Sequence, residues 1–154
     1  MQYENILVIQ TSFIGDVILS TSLLESLHQR FPLAKIDILL RQGNESLFSN
    51  HPFLREILIW DKKGKKYFNF FKLWRQVRRR KYDLVFNLQR FATTGLLTGF
   101  SGGKQTFGFK ENPLSFLFHK KIEYGFEMYK KNKHEVARYH QLAKEFVSAE
   151  PSPM

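Results

Sequence analysis

The sequence contains no cysteine, which removes disulfides, thiolate metal sites and cysteine nucleophiles from consideration. No apolar run approaches the roughly 18 residues that a membrane-spanning helix needs. Neither G-x-G-x-x-G nor G-x-x-x-x-G-K-[ST] occurs, which counts against a dinucleotide fingerprint or a P-loop. No D-x-D pair is present to hold a divalent cation, and the histidines (28, 51, 119, 134 and 140) lack ligand spacing, so no metal site is expected. The N-terminus carries Glu4 and no basic leader, which argues against a cleaved signal peptide and for a cytoplasmic address. Acidic residues are missing altogether from residues 62–81.

That last absence organises the charge. The chain has 154 residues and a net charge of +10, the size of one domain able to bury a sizeable core. Six lysines (62, 63, 65, 66, 72, 81) and four arginines (75, 78, 79, 80) fall within 62–81, while the rest of the chain is balanced. Tyr67, Phe68, Phe70, Phe71 and Trp74 are interleaved among them. Such a localised field attracts polyanions such as nucleic acid, an anionic membrane surface or a phosphorylated substrate. The plainer alternative is a solvated face that aids solubility.

Along the chain, short apolar runs alternate with segments of helical period. Strands are expected at 5–10, 35–40, 55–60, 83–88 and 106–109, and helices at 16–31, 70–80, 94–100 and 134–147. Shorter helical turns are expected near 45–49 and 113–118. Pro32 closes the first helix, and Gly102-Gly103 breaks the chain before the last strand. Strands separated by helices indicate an α/β fold, a Rossmann-like parallel sheet with helices on both faces. The domain is expected to occupy 1–147, with 148–154 as a tail or the start of an interdomain linker.

The sharpest candidate for chemistry is Asp16, in the stretch Thr11-Ser12-Phe13-Ile14-Gly15-Asp16 that follows the run Ile6-Leu7-Val8-Ile9. In open α/β sheets, ligands bind beyond the carboxyl ends of the strands. Asp16 reads either as a helix N-cap, with Gly15 allowing a tight turn, or as a general base that takes a proton from a hydroxyl. Gln89, at the end of the fourth expected strand, either faces the same crevice or belongs to a polar loop. His134 and Arg138, spaced i, i+4, share one helical face and read as a binding pair or a surface pair.

Taken together, these residues resemble glycosyltransferase family 9, the lipopolysaccharide heptosyltransferase family. The resemblance runs through I-L-V-I-Q-T-S-F-I-G-D-V, L-L-E-S-L-H-Q-R-F-P with A-K-I-D-I-L-L, E-I-L-I-W-D, K-Y-D-L-V-F-N-L-Q, G-F-K and H-E-V-A-R, in that order. It implies the N-terminal, acceptor-binding domain of a GT-B enzyme, without the C-terminal domain that carries most nucleotide-sugar contacts. Asp16 would then be the catalytic base of an inverting, metal-independent transfer, with Thr11, Ser12 and Gly15 shaping its turn. Gln89, His134, Arg138 and the segment with Arg75, Arg78 and Arg79 would bind the phosphorylated core glycolipid. The donor would be a nucleotide sugar such as ADP-heptose, with no cofactor or metal. The place of action would be the cytoplasmic side of an anionic inner membrane.

The resemblance further implies that the chain alone, truncated before the donor domain, has little or no activity. The alternative is a non-catalytic module that uses 62–81 on an anionic membrane or nucleic acid. Nucleic acid is the less favoured partner, because the aromatics lie in the basic helix and not on adjacent strands.

Overall fold

A computed structural model describes residues 3–12, 14–61 and 64–122, together with Tyr139, Leu142, Ala143 and Phe146. Six strands form one sheet: β1 (Asn5–Ile9), β2 (Lys35–Arg41), β3 (Leu54–Trp60), β4 (Leu84–Asn87), β5 (Gln105–Phe109) and β6 (Lys120–Ile122). Their order is β3-β2-β1-β4-β5-β6, and every pairing is parallel. This is the doubly wound arrangement, with its switch point between β1 and β4.

The strands alternate strictly between two cores. Ile6, Val8, Ile36, Ile38, Leu40 and Phe86 point to one face, where α1 (Ile14–Leu19) and α2 (Thr21–Arg30) cover them through Val17, Leu23, Leu24 and Leu27. Leu7, Ile9, Leu39, Leu58 and Val85 point to the other, covered by α3 (Lys66–Arg80) and α4 (Ala92–Gly99) through Leu73, Val77 and Leu97. Tyr139, Leu142 and Ala143 join the first core. Phe146 packs against it, and the other residues of the helix expected over 134–147 lie outside the described residues.

Several expectations are revised. The helix expected over 16–31 begins at Ile14 and is broken at Ser20, which separates α1 from α2. The buried Ser20 hydroxyl donates to Val17 O at 2.6 Å, and the Ser20 N–H is shared between Asp16 O and Val17 O. A serine hydroxyl that takes a helix carbonyl in this way interrupts the i→i−4 ladder. α3 starts at Lys66, earlier than the expected residue 70, and α4 starts at Ala92. The turns at 45–49 and 113–118 are 3₁₀ segments, Glu45–Phe48 and Ser115–Leu117. β6 was not expected at all. It is a three-residue edge strand with two exposed lysines, a composition that protects an edge but carries no strand signal.

A buried acid closes the strand-start end of the sheet. Asp37, inside β2 and fully buried, accepts hydrogen bonds from Arg55 Nε and Nη2 (3.0 and 2.6 Å) and from Tyr82 Oη (2.6 Å). Burial and the bond to Asp37 push the Tyr82 phenol well above its ordinary value. The bond to Asp37 likewise raises Arg55. A carboxylate at this depth is tolerable because it is paired and hydrogen-bonded on both oxygens.

Candidate functional site

At the switch point, the chain leaving β1 carries Gln10, Thr11 and Ser12, and the chain leaving β4 carries Leu88, Gln89 and Arg90. The two exits stay adjacent because the ladder continues past the strands. Leu88 N donates to Ile9 O at 3.0 Å between them, while Gln10 N donates to Leu39 O of β2 at 2.9 Å on the other side of β1. The crossovers from β1 and β4 then depart to opposite faces, which opens a crevice between them.

Asp16 stands at this crevice, half-buried, as the third residue of α1. It is therefore inside the first turn and is not the N-cap. Ser12 Oγ donates to Asp16 Oδ2 at 2.6 Å, the only hydrogen bond to that carboxylate among the described residues. Ser12 is itself held by the loop that follows β2, where Asn44 Nδ2 donates to Ser12 O at 3.1 Å.

Behind Asp16 lies a chain of carboxamides. Gln10, fully buried, donates through Nε2 to Tyr139 Oη at 3.2 Å and, at 3.4 Å, to Asp16 O. Gln89 Nε2 donates to Gln10 Oε1, tying the exit of β4 to that of β1. Gln89 N donates to Asn87 Oδ1 at 2.8 Å, and Asn112 Nδ2 donates to Gln89 O and Phe91 O at 3.3 and 3.0 Å. Asn112 packs so closely on α4 that a Cβ on Gly95 would sit 2.3 Å from its Oδ1, so a larger residue there would displace the Asn112 side chain. The Asp16 backbone is thus referenced to β1, β4 and Tyr139 together.

The other expected site residues are placed differently. Thr11 is buried beneath the crevice, where it lines a small cavity with Trp60, Phe70, Thr93 and Thr94. Gly15 lies in α1 with ordinary helical backbone, and a Cβ there would meet nothing within 4 Å, so the tight turn expected of it is not present. His134 and Arg138 lie outside the described residues.

Arg75, Arg78 and Arg79 are not brought together with Asp16. α3 runs antiparallel to the strands, so its last turn reaches the end of the sheet where the strands begin. Arg78 Nη1 donates to Phe100 O at 3.0 Å, just past α4, and Arg80 pairs with Glu56 early in β3. The Lys65–Lys66 start of α3 is the basic part at the crevice end.

Sequence reading missed Gln10, Asn44, Asn112 and Tyr139. Gln10 carried a signal, since it is a polar residue continuing an apolar strand at its carboxyl end. The other three meet the site from 23 to 129 residues away along the chain. The described residues hold no three His, Asp or Glu side chains placed to share a metal ion. No described helix is long and apolar enough to cross a membrane.

No family model matches the chain. Over 80 residues it is 41% identical to lipopolysaccharide heptosyltransferase 3 of Escherichia coli, an alignment covering 49% of this chain and 24% of that protein. Its fold is similar to the crystal structure of a family 9 glycosyl transferase from Veillonella parvula, with a TM-score of 0.83 and 22% identity. That match covers 99% of this chain and 44% of the other. It is also similar to E. coli ADP-heptose lipopolysaccharide heptosyltransferase II, at 26% identity and a TM-score of 0.76, again over 99% and 44% of the two chains. The chain therefore spans less than half the length of each of these proteins.

Proposed function

Because the chain is a relative of the family 9 heptosyltransferases with the fold of their N-terminal domain, we propose that it is the acceptor-binding half of a sugar transferase. The transfer would move a heptose-like sugar from a nucleotide sugar such as ADP-heptose to a hydroxyl of a phosphorylated lipopolysaccharide core, on the cytoplasmic side of the inner membrane. The observation that carries this reading is the Asp16 carboxylate, fastened by Ser12 at the switch-point end of the sheet.

In the proposed reaction, Asp16 accepts the proton of the acceptor hydroxyl as its oxygen attacks the anomeric carbon. The nucleoside diphosphate leaves from the opposite side with its bonding pair, inverting that centre. Proton transfer late in the attack, with a good leaving group, lets a carboxylate serve as this base. Ser12 fixes the rotamer of Asp16, and the Gln10–Gln89 pair fixes the backbone beneath it. No metal takes part in this scheme. The charge on the leaving diphosphate falls to groups outside this chain, so the chain alone is expected to turn over no substrate. His134 and Arg138 are proposed to hold the acceptor's anionic groups, with Thr11 and Gln89 at the crevice floor.

The test is a chimera in which residues 1–154 replace the corresponding part of E. coli heptosyltransferase 3, assayed with ADP-heptose and a core glycolipid. D16N is expected to lower kcat by about 10²–10⁴-fold with little change in glycolipid binding. Near-normal kcat in D16N refutes the base assignment, and turnover by the chain on its own refutes the half-site reading.

A further inference from the structure

The connection between β2 and β3 is wound as one series of tight turns. Asn44 N donates to Arg41 O at 3.3 Å, Leu47 N to Asn44 O at 3.1 Å, Ser49 N to Ser46 O at 3.3 Å and His51 N to Phe48 O at 3.0 Å. Phe48 anchors the middle of the series in the first core. At the crevice end, Asn44 holds Ser12 and, through it, the Asp16 carboxylate.

At the other end, Phe53 meets two histidine rings. His28 of α2 lies flat on the Phe53 ring, with centroids 4.2 Å apart and planes 3° from parallel. His51 stands perpendicular to the same ring at 4.4 Å, and 5.7 Å from Phe48. These rings fasten the connection to α2, and the linked turns carry that fastening back to Asn44.

Both imidazoles are placed to be neutral. Phe53 N donates to His51 Nδ1 at 3.5 Å, so a proton added to that nitrogen would set two donors against each other. His28 Nδ1 is buried with no hydrogen-bond partner, so a charged ring there would carry a buried N–H with no acceptor. The titratable groups facing His51 are Glu25 and His28, both on α2. Burial holds His51 below its ordinary 6.5; the Glu25 carboxylate pulls the other way, and His28 adds to the lowering. A histidine held low in the folded state contributes stability that is complete above 6.5 and is lost as pH falls from there through the folded value.

We propose that the His28–Phe53–His51 stack is an acid-released clasp, whose protonation frees the β2–β3 connection from α2 and loosens the hold of Asn44 on Ser12 and Asp16. The neutral stack and the charged, open one are the two states of the switch, and histidine titrates in the range where such a switch works. The clasp goes beyond the transfer reaction and does not depend on it, since its readouts are structural.

The ¹⁵N-labelled 154-residue chain is titrated from about pH 8 to about pH 5 and followed by NMR. The His51 ring is expected to titrate below 6.5, with the Asn44 side-chain amide and the Ser12 N–H moving at the same midpoint. Protection of the His51 and Leu47 amides, corrected for the intrinsic exchange rate, is expected to fall about tenfold for each unit by which that midpoint lies below 6.5. H28F/H51F keeps rings against Phe53 that cannot take a proton, and is expected to abolish the acid movement of Asn44 while His119, His134 and His140 still titrate. H51F alone is the smaller change, and is expected to remove the part of the movement that follows His51. Far-UV circular dichroism melts establish which variants fold.

The proposal is overturned if His51 titrates at or above 6.5, or if Asn44 and Ser12 stay fixed while His51 titrates. It is equally overturned if amide protection in the connection is unchanged across the titration, or if the acid movement of Asn44 survives in the folded variants.

Discussion

Replacing Gln10 by Met tests whether the carboxamide chain holds the crevice together. Methionine approximates the volume and reach of glutamine, so the substitution removes polar groups without opening a large cavity. Three interactions end: the acceptor for Gln89 Nε2, the donor to Tyr139 Oη at 3.2 Å, and the donor to Asp16 O at 3.4 Å. The last is long, and Asp16 O also accepts from Ser20 N, so it costs little. Gln89 and Tyr139 are both buried, so water cannot replace what they lose. A buried donor left unpaired costs about 1–3 kcal/mol, and a lost neutral hydrogen bond about 0.5–1.5 kcal/mol. Q10M is therefore expected to lower unfolding stability by about 2–4 kcal/mol.

The double variant Q10M/Q89M removes both partners of the central bond and should be more stable than the sum of the single changes, by about 1 kcal/mol or more. Urea unfolding followed by circular dichroism, extrapolated linearly, reads all four stabilities. A loss below about 0.5 kcal/mol in Q10M, or strict additivity in the double variant, refutes the reasoning.

Three further outcomes are expected. G15A should stabilise the chain by about 0.5–1 kcal/mol, because Gly15 is helical with open space where a Cβ would stand; a lower melting temperature would restore the tight-turn reading. G108A should destabilise by about 1–3 kcal/mol in urea titration, since its Cβ would lie 2.2 Å from the buried ring of Phe118. D83N should flatten the acid limb of the stability curve. Burial pushes the Asp83 carboxyl up, but the N–H groups of Glu4 and Asn5 at 2.7 and 3.0 Å, with Lys104, outweigh it and hold the group below its ordinary 3.8. A depressed folded value means stabilisation present above the unfolded value and lost as pH falls through the folded one. Urea midpoints across the acid range should thus fall less steeply in D83N than in the parent chain.

The strands were legible because short β-branched runs bounded by turn residues have few other ways to bury themselves, and five of the six stand within a residue or two of their expected bounds. β6 was not, because Lys120-Lys121-Ile122 pairs only through its backbone with β5. The break at Ser20 was not, because helical period registers which face a residue occupies and not whether its hydroxyl takes a carbonyl. At the site, Thr11, Ser12 and Gln89 could be read from position alone, since each lies just past a strand, and Asp16 because it opens the helix that follows β1. Asn44, Asn112 and Tyr139 could not, because no local pattern ties them to residues so distant in the chain.

The sequence by itself determined an α/β chain with a carboxylate just past its first strand, and an uncompensated basic run at 62–81. The tertiary structure alone decided what those features face. A helix of 15 residues is about 22 Å long, and α3 lies antiparallel to the strands. A charge run that is continuous in the chain is therefore split across the sheet: the lysine and aromatic end stands beside the crevice, and the arginine end is held against Glu56 and Phe100. Parallel pairing of β1 with β4 is likewise what brings Gln10 to Gln89 across 79 residues and sets Asp16 above them.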